Sequence, residues 1–250
     1  MNIRMNVMAA VALGGLVAAT GAQAQIAFAP AEIYGCNYVA GSDYEDFSGA
    51  VRSWKRWMDE QNLTAYNGVA LQPFYYSNEL DVDIIWLGTW ASGAAEGEHN
   101  AAWIRNGGDV IEGFNEVVSC PSHSRWVAGV LRPFETVPEQ GIAEFRNCTI
   151  KENRTLGDAL AALNEWLEFE AQMDIGTGHL LLLPVAGGAS TDDFDFKWVI
   201  GFPSYEAQGA SADPMIRLGG GNRFNQIIAN VMSCDSPRVY ITELARLAAE

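Results

Sequence analysis

The sequence predicts an α+β chain made of two like βαββαβ units in tandem. Three observations point that way. A pattern of Cys, Trp, Pro, Asp, Gly and Arg recurs at a nearly constant offset. Each copy alternates short apolar runs with segments of helical period. Each copy also has one cysteine near its start and one near its end. Trp86 is matched by Trp198, Gly97 by Gly209, Arg105 by Arg217 and Cys36 by Cys148, each 112 positions on, and Cys120 by Cys234 at 114. Repetition on this scale predicts two units, 25–132 and 133–250, of about 110 residues each.

The elements follow in order. In the first copy a strand is expected over Ala31–Tyr38. A helix comes next, with Phe47, Ala50, Val51, Trp54, Trp57 and Met58 on one face, capped by Ser42 with Glu45, or by Asp46. Strands at Val69–Tyr76 and Asp83–Trp90 form a hairpin. A second helix, capped at Asn100, breaks at Gly107-Gly108 and resumes through Val110, Ile111 and Phe114. Ser124–Leu131 is the last strand.

The second copy repeats this plan. A strand over Ile142–Ile150 leads to a helix through Leu156, Ala159, Leu160, Leu163, Trp166 and Leu167, capped by Thr155 with Asp158. Strands at His179–Val185 and Asp195–Phe202 follow. Asp213-Pro214 marks a helix start and Gly219-Gly220-Gly221 a break. Arg238–Ile241 is the last strand, with a C-terminal helix over Glu243–Ala249. Pro133–Gln140 links the copies.

βαββαβ twice over is the ferredoxin-like pattern. Its fourth strand runs antiparallel beside its first, which brings the two cysteines of a copy together. Of the three possible pairings the repeat favours Cys36–Cys120 and Cys148–Cys234, one disulfide per repeat.

The N-terminus reads as an export signal over 1–24. Arg4 precedes an apolar run, Val7–Ala19, and Ala22-Gln23-Ala24 is a cleavage site that leaves Gln25 first. An uncleaved N-terminal anchor is the competing reading. Later apolar runs are too short to span a membrane, so the expected location is periplasmic or secreted, with no membrane insertion after cleavage. A formal charge of −16 argues against nucleic acid and anionic lipid as partners. With no C-x-x-C and no duplicated histidine, no metal site is expected.

Two tandem ferredoxin-like units resemble the dimeric α/β-barrel group, in which such units pack sheet to sheet. The resemblance implies a pseudo-dimeric α/β barrel within one polypeptide. The Cys, Trp and Asp pattern is also similar to that of exported bacterial proteins of unknown activity. Members of the barrel group include cofactor-independent monooxygenases, haem enzymes and binding proteins. The haem enzymes need a helical histidine, for which His99 is the one candidate; the expectation here is no cofactor.

Several residue types carry chemistry. Asp83 and Asp195 each precede a repeated tryptophan on an acidic hairpin, as bases or as turn-ending acceptors. Arg105 and Arg217 suit a carboxylate ligand or a salt bridge to those aspartates. His99 is the histidine candidate for catalysis. Tyr75, Tyr76, Trp86, Trp90 and Trp198 suit an aromatic pocket wall, or packing between two sheets. Ala95-Glu96-Gly97 and Ala207-Gln208-Gly209 read as loops over the barrel mouth.

The favoured function is binding of a small apolar or aromatic ligand between the repeats, through Tyr75, Trp86, Trp90, Arg105, Trp198 and Arg217. One alternative is a cofactor-independent oxygenase or isomerase with His99, Asp83 or Asp195 in catalysis. Another is an envelope protein-interaction module. The sequence leaves the oligomeric state open.

Overall fold

A computed structural model describes residues 26–134, 137–173, 175–188 and 193–249. The expected signal peptide lies outside them. The chain runs β1 (Phe28–Tyr38), α1 (Tyr44–Glu60), β2 (Tyr66–Tyr75), β3 (Ile84–Trp90), α2 (Gly93–Asn106), α3 (Gly108–Asn115) and β4 (Val118–Arg132). It continues as β5 (Gln140–Ile150), α4 (Leu156–Glu170), a 3-10 turn, β6 (Gly178–Ala186), β7 (Phe196–Phe202), α5 (Tyr205–Arg217), α6 (Gly220–Ile227), β8 (Met232–Cys234) and β9 (Arg238–Arg246).

The strands form one sheet in the order β7-β6-β4-β1-β3-β2-β9-β5-β8, and a further β7–β5 pairing closes it. Eight strands therefore make a closed antiparallel barrel, with the short β8 attached to β5. Alternation along each strand sorts the side chains. Ala31, Ile33, Leu87, Trp126, Leu182, Val199 and Tyr240 belong to the interior cluster. Cys36, Ile84 and Trp90 point the other way and pack under α1, with Tyr34 and Trp86 against them. The same outer face of the second half packs under α4 and α6 through Leu163, Trp166, Phe196, Trp198 and Ile228.

This corrects the expected architecture of two tandem βαββαβ ferredoxin-like units with separate sheets packed face to face. The reason is edge pairing. β2 bonds β9 from Gly68↔Arg246 to Tyr75↔Val239, and β4 bonds β6 from Arg125↔Ala186 to Arg132↔His179. Strands that would have been open edges of two sheets are interior strands of one. Closure removes the exposed rows of amides and carbonyls that an open edge presents.

Three local expectations also change. The region expected as a C-terminal helix, Glu243–Ala249, is strand to Arg246, because β9 fills the gap between β2 and β5. The second helix of each half begins earlier than Asn100 or Asp213. Ser92 caps α2 through Ala95 N–H at 3.2 Å, and Ser204 caps α5 through Ala207 N–H at 3.2 Å. The segments 95–97 and 207–209 are therefore first turns of helices, not loops over a mouth. The first helix is capped by Asp43, whose carboxylate and that of Asp46 form a reciprocal box. The Thr155–Asp158 box of α4 is found as expected.

Both disulfides form with the expected partners, Cys36–Cys120 and Cys148–Cys234. Two disulfides point to an oxidising, non-cytoplasmic location. Among the described residues no helix is long and apolar enough to cross a membrane. The bonds close loops of 84 and 86 residues in sequence separation. Removing one by a paired Cys148→Ser and Cys234→Ser change is expected to cost about 3–4 kcal/mol. Chemical denaturation checks this; a change under about 1 kcal/mol would show that the bond restrains little of the unfolded chain.

Candidate functional site

The cavity that stands out lies on the outer face of the first half, between the sheet and α1, α2 and α3. Its volume is about 220 Å³. Glu32 and Tyr34 from β1, Tyr66 from β2 and Trp86 from β3 form its floor, and α1 contributes Phe47 and Trp54. The other side carries His99, Asn100 and Trp103 from α2, with Ile111, Phe114 and Asn115 from α3. The Cys36–Cys120 disulfide borders it.

Local sequence builds each wall. The α1 stripe Phe47, Val51, Trp54, Trp57, Met58 is buried against the sheet. In α2 the buried residues are Glu96, His99 and Ala102, one helical turn apart in succession. Glu96 is held by the Arg125 guanidinium of β4. That contact fixes the rotation of α2 and turns His99 toward the sheet. Two glycines make room for the floor. A Cβ on Gly88 would lie 1.9 Å from the Tyr66 hydroxyl, and one on Gly68 2.5 Å from the Trp86 ring.

A chain of hydrogen bonds runs through the floor. Trp86 Nε1–H donates to the Tyr66 hydroxyl at 2.6 Å, and Tyr66 donates to Glu32 Oε1 at 2.8 Å. Glu32 Oε2 lies 2.9 Å from His123 Nε2 on β4. Glu32 is buried and the His123 side chain is 49% exposed. His123 also stacks on Tyr34, with centroids 3.7 Å apart. Burial, together with the Glu32 charge, pushes the Tyr66 phenol well above its usual value, so it keeps its proton and donates.

His99 is different. It is 6% exposed, and among the described residues neither ring nitrogen makes a hydrogen bond of good geometry, the nearest polar side chain acting on it being that of Asn100. Its ring lies against Tyr66, centroids 5.0 Å apart and 18° from parallel, and beside Trp90 at 5.5 Å. The Trp90 indole N–H is also unpartnered. Burial lowers the His99 pKa, opposed by the Glu32 charge and the adjacent Asn100 side chain. The imidazole is thus neutral at neutral pH, with one nitrogen free to accept and the other to donate.

On the equivalent face of the second half the rings pack together and the polar groups pair. Phe224 packs on Trp166 and Trp198 at 5.4 and 6.4 Å. Trp198 Nε1–H donates to His179 Nδ1 at 3.1 Å, and His179 Nε2 is 2.8 Å from Glu170 Oε2. An indole N–H can only donate, so Nδ1 accepts, and the ring is the neutral Nε2–H tautomer. Arg132 and Thr177 also bond Glu170. Burial lowers the His179 pKa, the direction that this tautomer requires.

The other candidates from sequence fall elsewhere. Asp83 Oδ2 accepts the Tyr38 N–H at 2.9 Å, and Asp195 Oδ2 the Ile150 N–H at 2.6 Å. Each ties the start of one strand to the end of its neighbour, β3 to β1 and β7 to β5, and neither lines the cavity. Arg105 and Arg217 are exposed in the last turns of α2 and α5. Tyr75 is 56% exposed and shares a 2.7 Å hydroxyl contact with Tyr205. Trp86 lines the cavity; Trp90 and Trp198 are buried in the outer cores of their halves. Among the described residues the barrel interior between the halves holds an apolar cluster that includes Leu71, Leu87, Trp126, Leu182 and Tyr240. Glu32, Tyr66 and Trp103 were not singled out from sequence. Glu32 could have been found, as an acid inside an otherwise apolar strand.

Among the described residues no group of three or more His, Cys, Asp or Glu side chains is placed to hold a metal ion. A haem does not fit. Pockets that take drug-sized ligands start at about 300 Å³, and this cavity is about 220 Å³. The His99 ring is also pressed against Tyr66.

The fold is that of the dimeric α/β barrels, including proteins of the chlorite dismutase kind. A candidate monooxygenase from Fusobacterium nucleatum subsp. nucleatum aligns over 90% of this chain and 95% of its own, with TM-score 0.57 and 8% identity. A candidate monooxygenase from Lactobacillus acidophilus NCFM covers 89% and 96%, with TM-score 0.54 and 10% identity. Chlorite dismutase from Candidatus Nitrospira defluvii covers 86% and 90%, with TM-score 0.50 and 9% identity. Neither a family model nor a curated protein sequence matches the chain.

The two buried histidines set an acid limit. Their folded pKa values lie below the ordinary 6.5. The unfolded chain therefore takes up protons first as pH falls, so this stability is present above about pH 6.5 and is lost below it. Melting temperature is expected to fall between pH 7.5 and 5, and the fall to be shallower in His179→Leu. An equal fall in wild type and variant would contradict the neutral assignment of His179.

Proposed function

We propose that this protein is an enzyme that removes a proton from a small aromatic molecule held in the helix–sheet cavity, with His99 as the base. Proton removal is the step shared by the isomerase and cofactor-independent oxygenase alternatives. One observation carries the reading: a buried, neutral imidazole, neither of whose nitrogens makes a well-formed hydrogen bond, lines an aromatic cavity. A buried polar atom without a partner costs about 1–3 kcal/mol, so the arrangement asks for a ligand to complete it. A general base works best when its pKa lies near the working pH; burial keeps the His99 ring unprotonated, and the Glu32 charge opposes the loss of basicity. The Glu32 charge supports the imidazolium that forms when the proton moves.

The volume suits one ring with a short substituent. A cavity of roughly 150 Å³ takes benzene, and this one is about 220 Å³. Shared fold with candidate monooxygenases is compatible with this class, but fold alone assigns no chemistry. The aromatic walls also favour a simple binding role, which differs in having no use for His99.

A deuterium-exchange assay separates the two. 2-Indanone in D₂O is expected to exchange its acidic C–H protons faster with the protein than without it. His99→Gln should slow the protein-dependent rate roughly 100-fold or more, while 2-indanone still quenches tryptophan fluorescence. Exchange no slower in His99→Gln than in wild type would remove His99 as the base. Binding without any acceleration would leave the plain binding role.

A further inference from the structure

The wall of the cavity carries one carboxyl side chain, that of Glu32. An ionised carboxylate offers about four acceptor positions. Glu32 uses two, for Tyr66 and His123. Arg125, its strand neighbour on β4, is bonded to Glu96 instead. No lysine or arginine lines the cavity. Among the described residues His123 is the one basic side chain in contact with the carboxylate, and it sits on the solvent side.

Around this acid stand Tyr34, Phe47, Trp54, Trp86, Trp103 and Phe114. Trp54 meets Trp86 edge-on with centroids 5.1 Å apart, and Phe47 bridges Trp86 and Phe114 at 6.4 and 6.1 Å. Electron-rich ring faces attract a cation, and rings arranged as a cage are the usual receptor for organic ammonium groups. A buried carboxylate adds a charge-assisted hydrogen bond to any N–H that the cation carries. An anion would face Glu32 with no cation to offset it. The formal charge of −16 on the whole chain works in the same direction at long range.

We propose that the molecule this cavity takes is a small aromatic ammonium ion, its ring among the tryptophans and its N–H groups on Glu32. The assignment rests on the cavity being the ligand site, as argued above, and names the ligand's charge and class. His99 lies beside the floor residue Tyr66 and adds a second polar group to the cavity wall. Selectivity among aromatic molecules of one size is then set by the carboxylate, not by shape.

Three probes of nearly equal size test this: benzylammonium, benzyl alcohol and benzoate, titrated into the whole protein and followed by calorimetry. Wild type should bind benzylammonium at least 10-fold tighter than benzyl alcohol, and benzoate more weakly than either. Glu32→Gln, which keeps the volume and the Tyr66 contact, should remove the preference and bring benzylammonium to within about 2-fold of benzyl alcohol in the same variant. Benzyl alcohol binding as tightly as benzylammonium in wild type overturns the ammonium assignment alone. So does a cation preference that survives Glu32→Gln. If none of the three binds, the ammonium assignment and the cavity as a ligand site both fall. The wild-type comparison stands even if Glu32→Gln does not fold.

Discussion

An antiparallel sheet with free edges must find partners for them, and in this chain the partners come from the opposite half. β2 takes β9 and β4 takes β6. These two seams turn the strands of both halves into one closed wall, with β7–β5 completing the circuit. Closure fixes which face of every strand points inward. The inward faces meet as an apolar core of Leu71, Leu87, Trp126, Leu182, Val199 and Tyr240. Burying a large apolar side chain contributes about 1.5–3 kcal/mol, so this core leaves little reason for a polar ligand chamber inside.

The chemistry is therefore on the outside of the wall, under the helices, and the two halves use that space differently. In the second half, Phe224 covers Trp166 and Trp198, and His179, Glu170, Arg132 and Thr177 satisfy one another. A fully bonded buried network rigidifies the fold and leaves nothing to offer a ligand. In the first half a cavity of about 220 Å³ remains between helices and sheet, Glu32 uses two of its acceptor positions, and neither His99 nitrogen makes a well-formed hydrogen bond. Among the described residues, buried polar atoms without a partner occur in both halves, at Arg146 and Arg246 in the second, but the one such residue that lines the cavity is His99. Such departures from full satisfaction are where function is expected to lie.

Much of the local structure was legible because it depends on nearby residues. The apolar stripe of α1 and the Thr155–Asp158 box of α4 appear at the expected places. The cysteine pairs also followed from position along the chain. What was not legible depends on partners distant in sequence. Glu243–Ala249 has a helix-compatible composition, yet its backbone to Arg246 is claimed by β2 and β5. Asp83 and Asp195 look like a repeated acidic site, but each accepts a backbone amide some 45 residues away. His99 was visible as a residue type, whereas the loss of its partners was visible only once α2 was seated by Arg125 and Glu96. Glu32 went unnoticed because its alternation with Ala31 and Ile33 acquires meaning only when one face is known to be interior.

The central claim is spatial: small molecules enter between the first-half helices and the outer face of the sheet. The most direct measurement is a crystal of the protein soaked in 4-bromobenzylamine, with the bromine located by anomalous scattering. The account predicts one strong peak within the space bounded by Trp54, Trp86, Trp103 and Phe114. A peak inside the barrel, against Leu182 and Tyr240, or at the exposed Phe74–Tyr75–Tyr205 cluster with the cavity empty, would contradict it.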